Sequence, residues 1–261
     1  FEDIKEIAKN PHEMTSADHE RVKEFLKQRL TQMKIVPQSF AAIGYDNDIK
    51  NNTKISTYSV SGKIENIYGI VKGSDKNLPA LMLLSHYDSQ THGAGAADDG
   101  SGVAASIETL RAIIANGTPK RDIIIMFTDG EEMGLLGASA FFDEYSAVKN
   151  GAPNTQNIPT NIGYVINMET RGDDGPTYMF ETGHDNLGLI KAYGEHAKNP
   201  NANSFSAAIY SKMPNGTDLT EAIKAGVKGL NFAFTGDENS YHTRLSTPEH
   251  LNLGSVQNMG D

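Results

Sequence analysis

The sequence predicts an α/β fold: a three-layer sandwich whose mixed, mostly parallel sheet carries helices on both faces. Short runs that are apolar throughout, such as Ala80–Leu84 and Ile123–Phe127, alternate with stretches of helical period. Strands that are apolar on both sides belong to sheets covered on both faces. At 261 residues the chain fits one sizeable core, and no composition shift marks a linker, so residues 1–261 read as a single domain.

The elements follow in order. Ser16–Leu30 predicts a helix, with Ser16 as N-cap and Val22, Phe25, Leu26 and Leu30 at helical spacing. Alternation predicts strands over Lys54–Val60 and Ile64–Val71, with polar turns at Asn47–Asn52 and Gly73–Asn77. Then come a strand at Ala80–Leu84, a helix at Gly102–Ala115, a strand at Asp122–Phe127 and a helix at Leu135–Tyr145. A Pro/Asn/Gly loop at Asn150–Asn161 leads to strands at Ile162–Met168 and Tyr178–Glu181. Asn186–Ala197 and Leu219–Ala225 predict helices, and Gly229–Phe234 a strand. Pro248–Met259 predicts a closing helix capped by Thr247.

Composition excludes several function classes. A net charge of −10 argues against nucleic acid as a partner, because phosphate binding needs a basic face. With no cysteine, disulfides and thiolate ligands are excluded, and any metal must be held by His, Asp or Glu. No apolar run approaches the roughly 18 to 20 residues of a membrane span. Because the chain begins at Phe1 without Met, it reads as a possible fragment of a longer protein.

Five polar clusters carry the functional signal: His86-Tyr87-Asp88, Asp98-Asp99-Gly100, Glu131-Glu132, Glu169 and Tyr241-His242. Alone, each has a plain reading as a loop histidine, a turn, a helix cap or a solvated helix start. Together they follow the carboxyl ends of four apolar strands, or, for Asp98, precede a helix. Open α/β sheets bind ligands at that rim. Two metal ions sharing a water need a bridging carboxylate, further His or carboxylate ligands and an open position. A free carboxylate beside them serves as general base, and a carboxylate two residues after a His can orient its ring.

The strings SHYDS, GAADDGSGVAA, FTDGEEMGLLGA, NMETRG, PNGTDLT and YHT occur in this order over nearly the whole chain. In them the chain resembles metallopeptidase family 28, the two-zinc aminopeptidases and their relatives. ETRG at Glu169–Gly172 and GLNFAF at Gly229–Phe234 look most like the branch with endoplasmic-reticulum and vacuolar-membrane metallopeptidases and their bacterial counterparts. The resemblance implies that His86 and Glu169 hold one Zn2+, that Glu132 and His242 hold the other, and that Asp98 bridges them. It also implies Glu131 as general base, Asp88 as partner of His86, Tyr241 as oxyanion stabiliser and a cis peptide between Asp98 and Asp99. Co2+ or Mn2+ could substitute. Two departures stand out: Glu169 occupies a slot that is Asp in many secreted members, and Arg244-Leu245-Ser246 replaces a Pro-Gln-Asp-like segment.

The expected activity is removal of N-terminal residues from peptides with a free N-terminus, in an extracytoplasmic domain attached to a membrane only through segments outside this chain. Alternatives are a carboxypeptidase, for which Arg171 is the one arginine beside a motif, or a glutaminyl cyclase. A catalytically silent binding domain on the same scaffold is a third.

Overall fold

Strand β4 (Ile123–Thr128) shows why an unbroken apolar run becomes a central strand. Ile123, Ile125 and Phe127 point to one face of the sheet and Ile124 and Met126 to the other, and all are buried. The structure is a computed structural model and describes residues 1–46, 60–213 and 215–261. The predicted turn at Asn47–Asn52 and nearly all of the predicted strand Lys54–Val60 lie outside the described residues.

The element order is α1 (Glu2–Ile7), α2 (Ala17–Gln32), β1 (Gln38–Asp46), β2 (Val60–Val71), β3 (Ala80–His86), α3 (Gly100–Ala115), β4, α4 (Leu136–Lys149) and β5 (Ile162–Thr170). It continues with β6 (Tyr178–Thr182), α5 (Leu187–His196), α6 (Ser204–Tyr210), α7 (Asp218–Lys224), β7 (Lys228–Phe234) and α8 (Leu253–Gly260). One sheet of order β1-β2-β4-β3-β5-β7-β6 results. Its centre, β4-β3-β5-β7, is parallel; β2 and β6 are joined to it antiparallel, and β1 pairs antiparallel with β2 at the edge. The sheet is therefore the mixed one the sequence predicts, with its parallel part confined to the middle.

Two cores lie on opposite faces. On one, Val22, Leu26 and Leu30 of α2 and Val103, Ile107 and Leu110 of α3 cover Leu83, Ile125 and Phe127. On the other, Leu136, Phe141 and Phe142 of α4 and Leu219 of α7 cover Met82, Leu84, Met126 and Val165. The chain leaves β3 for one face through α3 and leaves β4 for the other through α4. This divergence opens a crevice at the carboxyl ends of the central strands.

Several boundaries differ from the sequence expectation. β3 runs on to His86 and β5 to Thr170, because pairing continues as far as His86↔Thr128 and Thr170↔Phe234. The closing helix starts at Leu253 rather than Pro248. The Thr247 carbonyl accepts from the His250 and Leu251 N–H groups to make one isolated turn, and the Asn252 side chain then caps α8 by accepting from Gly254 N–H. Elements α1, β1 and α6 have no counterpart in the sequence expectation.

Candidate metal centre

β3 ends at His86, whose backbone N–H donates to Asp99 Oδ2 at 3.2 Å. Asp99 is the N-cap of α3, and its Oδ1 accepts from Gly102 N–H at 3.1 Å. One carboxylate thus ties the end of β3 to the start of α3. Gly102 permits it, since a Cβ there would lie 2.3 Å from the Asp99 carboxylate. The Asp98–Asp99 peptide is cis, as the resemblance implies.

The loop after β4 is fixed by Asp88. Its two carboxylate oxygens accept from the backbone N–H groups of Glu131 at 3.0 Å and Glu132 at 3.2 Å. Asp88 meets His86 mainly through its backbone carbonyl, which accepts from Nδ1 at 3.0 Å; the carboxylate lies 3.5 Å away. The Asp88 side chain holds the Glu131–Glu132 turn as well as facing the His86 ring, and its main-chain carbonyl shares in orienting that ring.

Two groups of possible ligands share one residue. His86, Asp98 and Glu169 form the first, and Asp98, Glu132 and His242 the second, with ligand atoms within 4.8 Å of one another in each. His86 Nε2 lies 3.1 Å from Asp98 Oδ1 and 3.5 Å from Glu169 Oε2. His242 Nε2 lies 3.0 Å from Asp98 Oδ2 and 3.2 Å from Glu132 Oε1. Asp98 turns one oxygen to each histidine. Supporting contacts come from Asn167, which donates to Glu169 Oε1 at 3.1 Å, and Gln90, which donates to Glu132 Oε2 at 2.9 Å. His242 sits in the left-handed region at φ 58°, a strained backbone for a residue with a Cβ. The Tyr241 ring stacks on the His242 ring at 3.7 Å, with the Arg171 guanidinium 5.8 Å from the Tyr241 ring centre.

The electrostatics of this rim call for cations. Asp88, Asp98, Asp99, Glu131, Glu132, Glu169 and Asp218 gather around two imidazoles, and among the described residues no Lys or Arg ion-pairs with any of them. Burial, with Glu169, Asp218 and Glu132 adding to it, pushes the Glu131 carboxyl well up. Burial and the Asp98 charge raise Glu132 to about 7. Burial also acts on Asp98, but hydrogen bonds with His242 and His86 outweigh it and hold that carboxyl at about 2. Desolvation would lower His242, yet Asp98 and Glu132 lift it to about 9.

The donor set fits zinc. Because the Asp88 carbonyl can only accept, Nδ1 carries a proton there, so in the neutral ring the Nε2 lone pair would face the Asp98 and Glu169 oxygens, ready for a metal. Buried Glu132 Oε1 has no hydrogen-bond partner despite its 3.2 Å approach to His242. Acceptors converging on one centre are satisfied by a divalent cation.

The model of peptidase family M28 matches residues 66–261. The chain belongs to this family. It is 31% identical to a vacuolar membrane protease of Candida dubliniensis over 98% of its length, and 33% identical to one of Candida albicans over 98%. It spans about a quarter of those curated relatives, 26% and 28% respectively. Among solved structures, an aminopeptidase from Aneurinibacillus superposes with a TM-score of 0.72 at 12% identity, covering 99% of this chain and 90% of that one. A glutaminyl cyclase from Fimbriiglobus ruber does so with 0.69 at 14% identity, covering 99% and 91%. At such identities the likeness is one of fold.

All eight residues singled out from the sequence reach this rim. Sequence reasoning missed Gln90 and Asn167, the polar residues that buttress Glu132 and Glu169. It also missed the buried hydroxyl of Thr128, which donates to Asp218 Oδ2. Asn167 carried a usable signal, an amide in an otherwise apolar strand two residues before a proposed ligand.

Proposed function

We propose that the protein is a zinc-dependent aminopeptidase that removes N-terminal residues from peptides with a free N-terminus. The observation that carries this reading is the pair of ligand groups sharing Asp98, with Glu131 beside them. His86, Asp98 and Glu169 would hold one Zn2+, and Asp98, Glu132 and His242 the other. Bound there, the two ions would polarise the scissile carbonyl and bring the pKa of a shared water towards ~7.

This chain's own residues do the rest. Glu131, its backbone fixed by Asp88, accepts the proton of the attacking water and delivers it to the leaving amine. Tyr241, held against His242, donates a hydrogen bond from its hydroxyl to the developing oxyanion. The carboxylates of Glu131 and Glu169 attract the substrate's α-ammonium.

Two complete ligand groups favour this reading over the single-metal cyclase, and intact ligands and base favour it over a silent binding domain. The relatives' name supports a domain outside the cytosol, attached to a membrane by segments beyond this chain. Among the described residues no helix is long and apolar enough to cross a membrane. The test is hydrolysis of free and N-blocked aminoacyl substrates with and without a chelator. Cleavage of free substrates only, abolished by chelation and restored by Zn2+, is expected. Cleavage of blocked substrates would sink the reading.

A further inference from the structure

A row of polar side chains leads away from the metal-binding groups across three adjacent strands. Asn167 of β5 stands opposite Asn231 of β7, which stands opposite Glu181 of β6. The Asn231 amide NH2 donates to Glu181 Oε2 at 2.8 Å and to Thr217 Oγ1 at 2.6 Å. Asn167 Nδ2 donates to Asn231 Oδ1 at 3.0 Å and to Glu169 Oε1 at 3.1 Å. Glu181 therefore lies two strand spacings, about 10 Å, out from Asn167.

The row is built but incompletely satisfied. Glu181 is half-buried, and among the described residues it forms no ion pair; an amide is its hydrogen-bond partner. Asn167 is fully buried, yet its Oδ1 has no partner, and neither has the buried hydroxyl of Tyr210 on α6. Tyr210 packs edge-on against Phe180, with ring centres 4.7 Å apart. Phe180 is the extra residue of a bulge in β6, a device that re-aims neighbouring side chains at functional sites. Burial and the charges of Glu181, Glu169 and Glu131 all push the Tyr210 phenol up.

A carboxylate withdrawn from water without a counter-ion is costly, and so are orphaned acceptors around it. A cation brought by a ligand supplies the missing counter-ion of Glu181. The α-ammonium of a substrate is the wrong source, because it must stay next to the reacting carbonyl, where Glu131 and Glu169 stand. The tip of an extended lysine or arginine side chain reaches two strands further. Its methylene stem would lie along the Phe180 and Tyr210 rings.

We propose that Glu181 is a specificity-determining residue that selects substrates with lysine or arginine as the first residue. The proposal rests on the aminopeptidase reading for its catalytic setting. A neutral side chain of equal length leaves Glu181 desolvated and unpaired, so the site discriminates by what the wrong substrate fails to supply.

The test compares zinc-loaded wild type, Glu181→Gln and Tyr210→Phe on lysyl and norleucyl amides, which differ by the terminal ammonium. The wild-type ratio of kcat/KM, lysyl over norleucyl, is expected to be at least ~10, the worth of one charge-assisted hydrogen bond. Glu181→Gln, whose amide oxygen still accepts from Asn231, brings the ratio to about 1 through KM, and Tyr210→Phe lowers it ~3-fold. A wild-type ratio near 1, a ratio unchanged in Glu181→Gln, or an equal loss on both substrates overturns the proposal. If no amide is cleaved, the aminopeptidase reading falls instead, and calorimetric binding of lysinamide against norleucinamide decides the subsite. Tighter lysinamide binding that vanishes in Glu181→Gln sustains it, and equal binding overturns it.

Discussion

The two ligand groups that share Asp98 are built in opposite ways. His86 and Glu169 both stand on central strands, and the His86 side chain keeps 1% of its surface exposed. Glu132 and His242 come from loops, and the His242 side chain keeps 32%. Paired strands and the Asn167 amide hold the first group, whereas turns, the Gln90 amide and a left-handed backbone at His242 hold the second. A buried group on regular structure is preformed and hard to hydrate when empty. A rim group on loops tolerates water and exchange, so the first should bind its ion more tightly.

That asymmetry can be broken at its shared point. Asp98→Ala removes a ligand from both groups, so bound zinc is expected to fall to near zero in elemental analysis of the dialysed protein. Activity should fall below what is left after removing the base. Retention of one tightly held ion would show that the buried group stands without its bridge.

Next in size is the base itself. Glu131→Ala is expected to lower kcat by ~10²–10⁴-fold with metal content unchanged. Near-full activity would exclude Glu131 as the proton acceptor.

The groups separate most directly under chelation. Stepwise chelator should remove the rim ion first, with activity lost at that step and the buried ion released later. Asn167→Ala should then weaken the tighter step by ~10–100-fold, as expected for an outer partner of a ligand, and Gln90→Ala the looser one. A single release step in wild type would erase the distinction.

The smallest effect is a pH slope in metal-free protein. Glu132 is raised to about 7 in the folded state, so folding opposes its ionisation, and stability is lost as pH rises from its unfolded value of 4.5 through 7. His242 is raised from 6.5 to about 9, so its contribution is complete below 6.5 and lost as pH rises through 9. Both act in one direction. The Tm of metal-free protein should fall between pH 5 and 9, and zinc should flatten that slope. A Tm rising over this range would contradict the assigned partners.

Legibility followed the strength of local pattern. β4 and α3 are plain because an unbroken apolar run and a glycine-started helical period admit few alternatives. α1 was invisible, since its six residues offer only Ile4 and Ile7 as buried positions. β1 was equally hidden: its inward positions include Phe40 and Gly44, while the larger Ile43 and Tyr45 are exposed. An edge strand of this kind takes its identity from the long register with β2, not from its own alternation. Thr247 failed as a helix cap because Asn252, five residues on, competed for the same role and won.

At the site, the sequence by itself determined which side chains arrive at the rim. An apolar strand must stop where its polar successors begin, and consecutive strand ends of a parallel sheet share one edge. Only the tertiary structure decided what those side chains do to one another. Asp88 came to serve both the His86 ring and the Glu131–Glu132 backbone, because the loop after β4 brings two N–H groups to its oxygens. Asn167, Asn231 and Glu181 became one row only when β5, β7 and β6 came to lie side by side. Strand order is set by crossovers and burial across the whole sheet, and no local stretch of sequence encodes it.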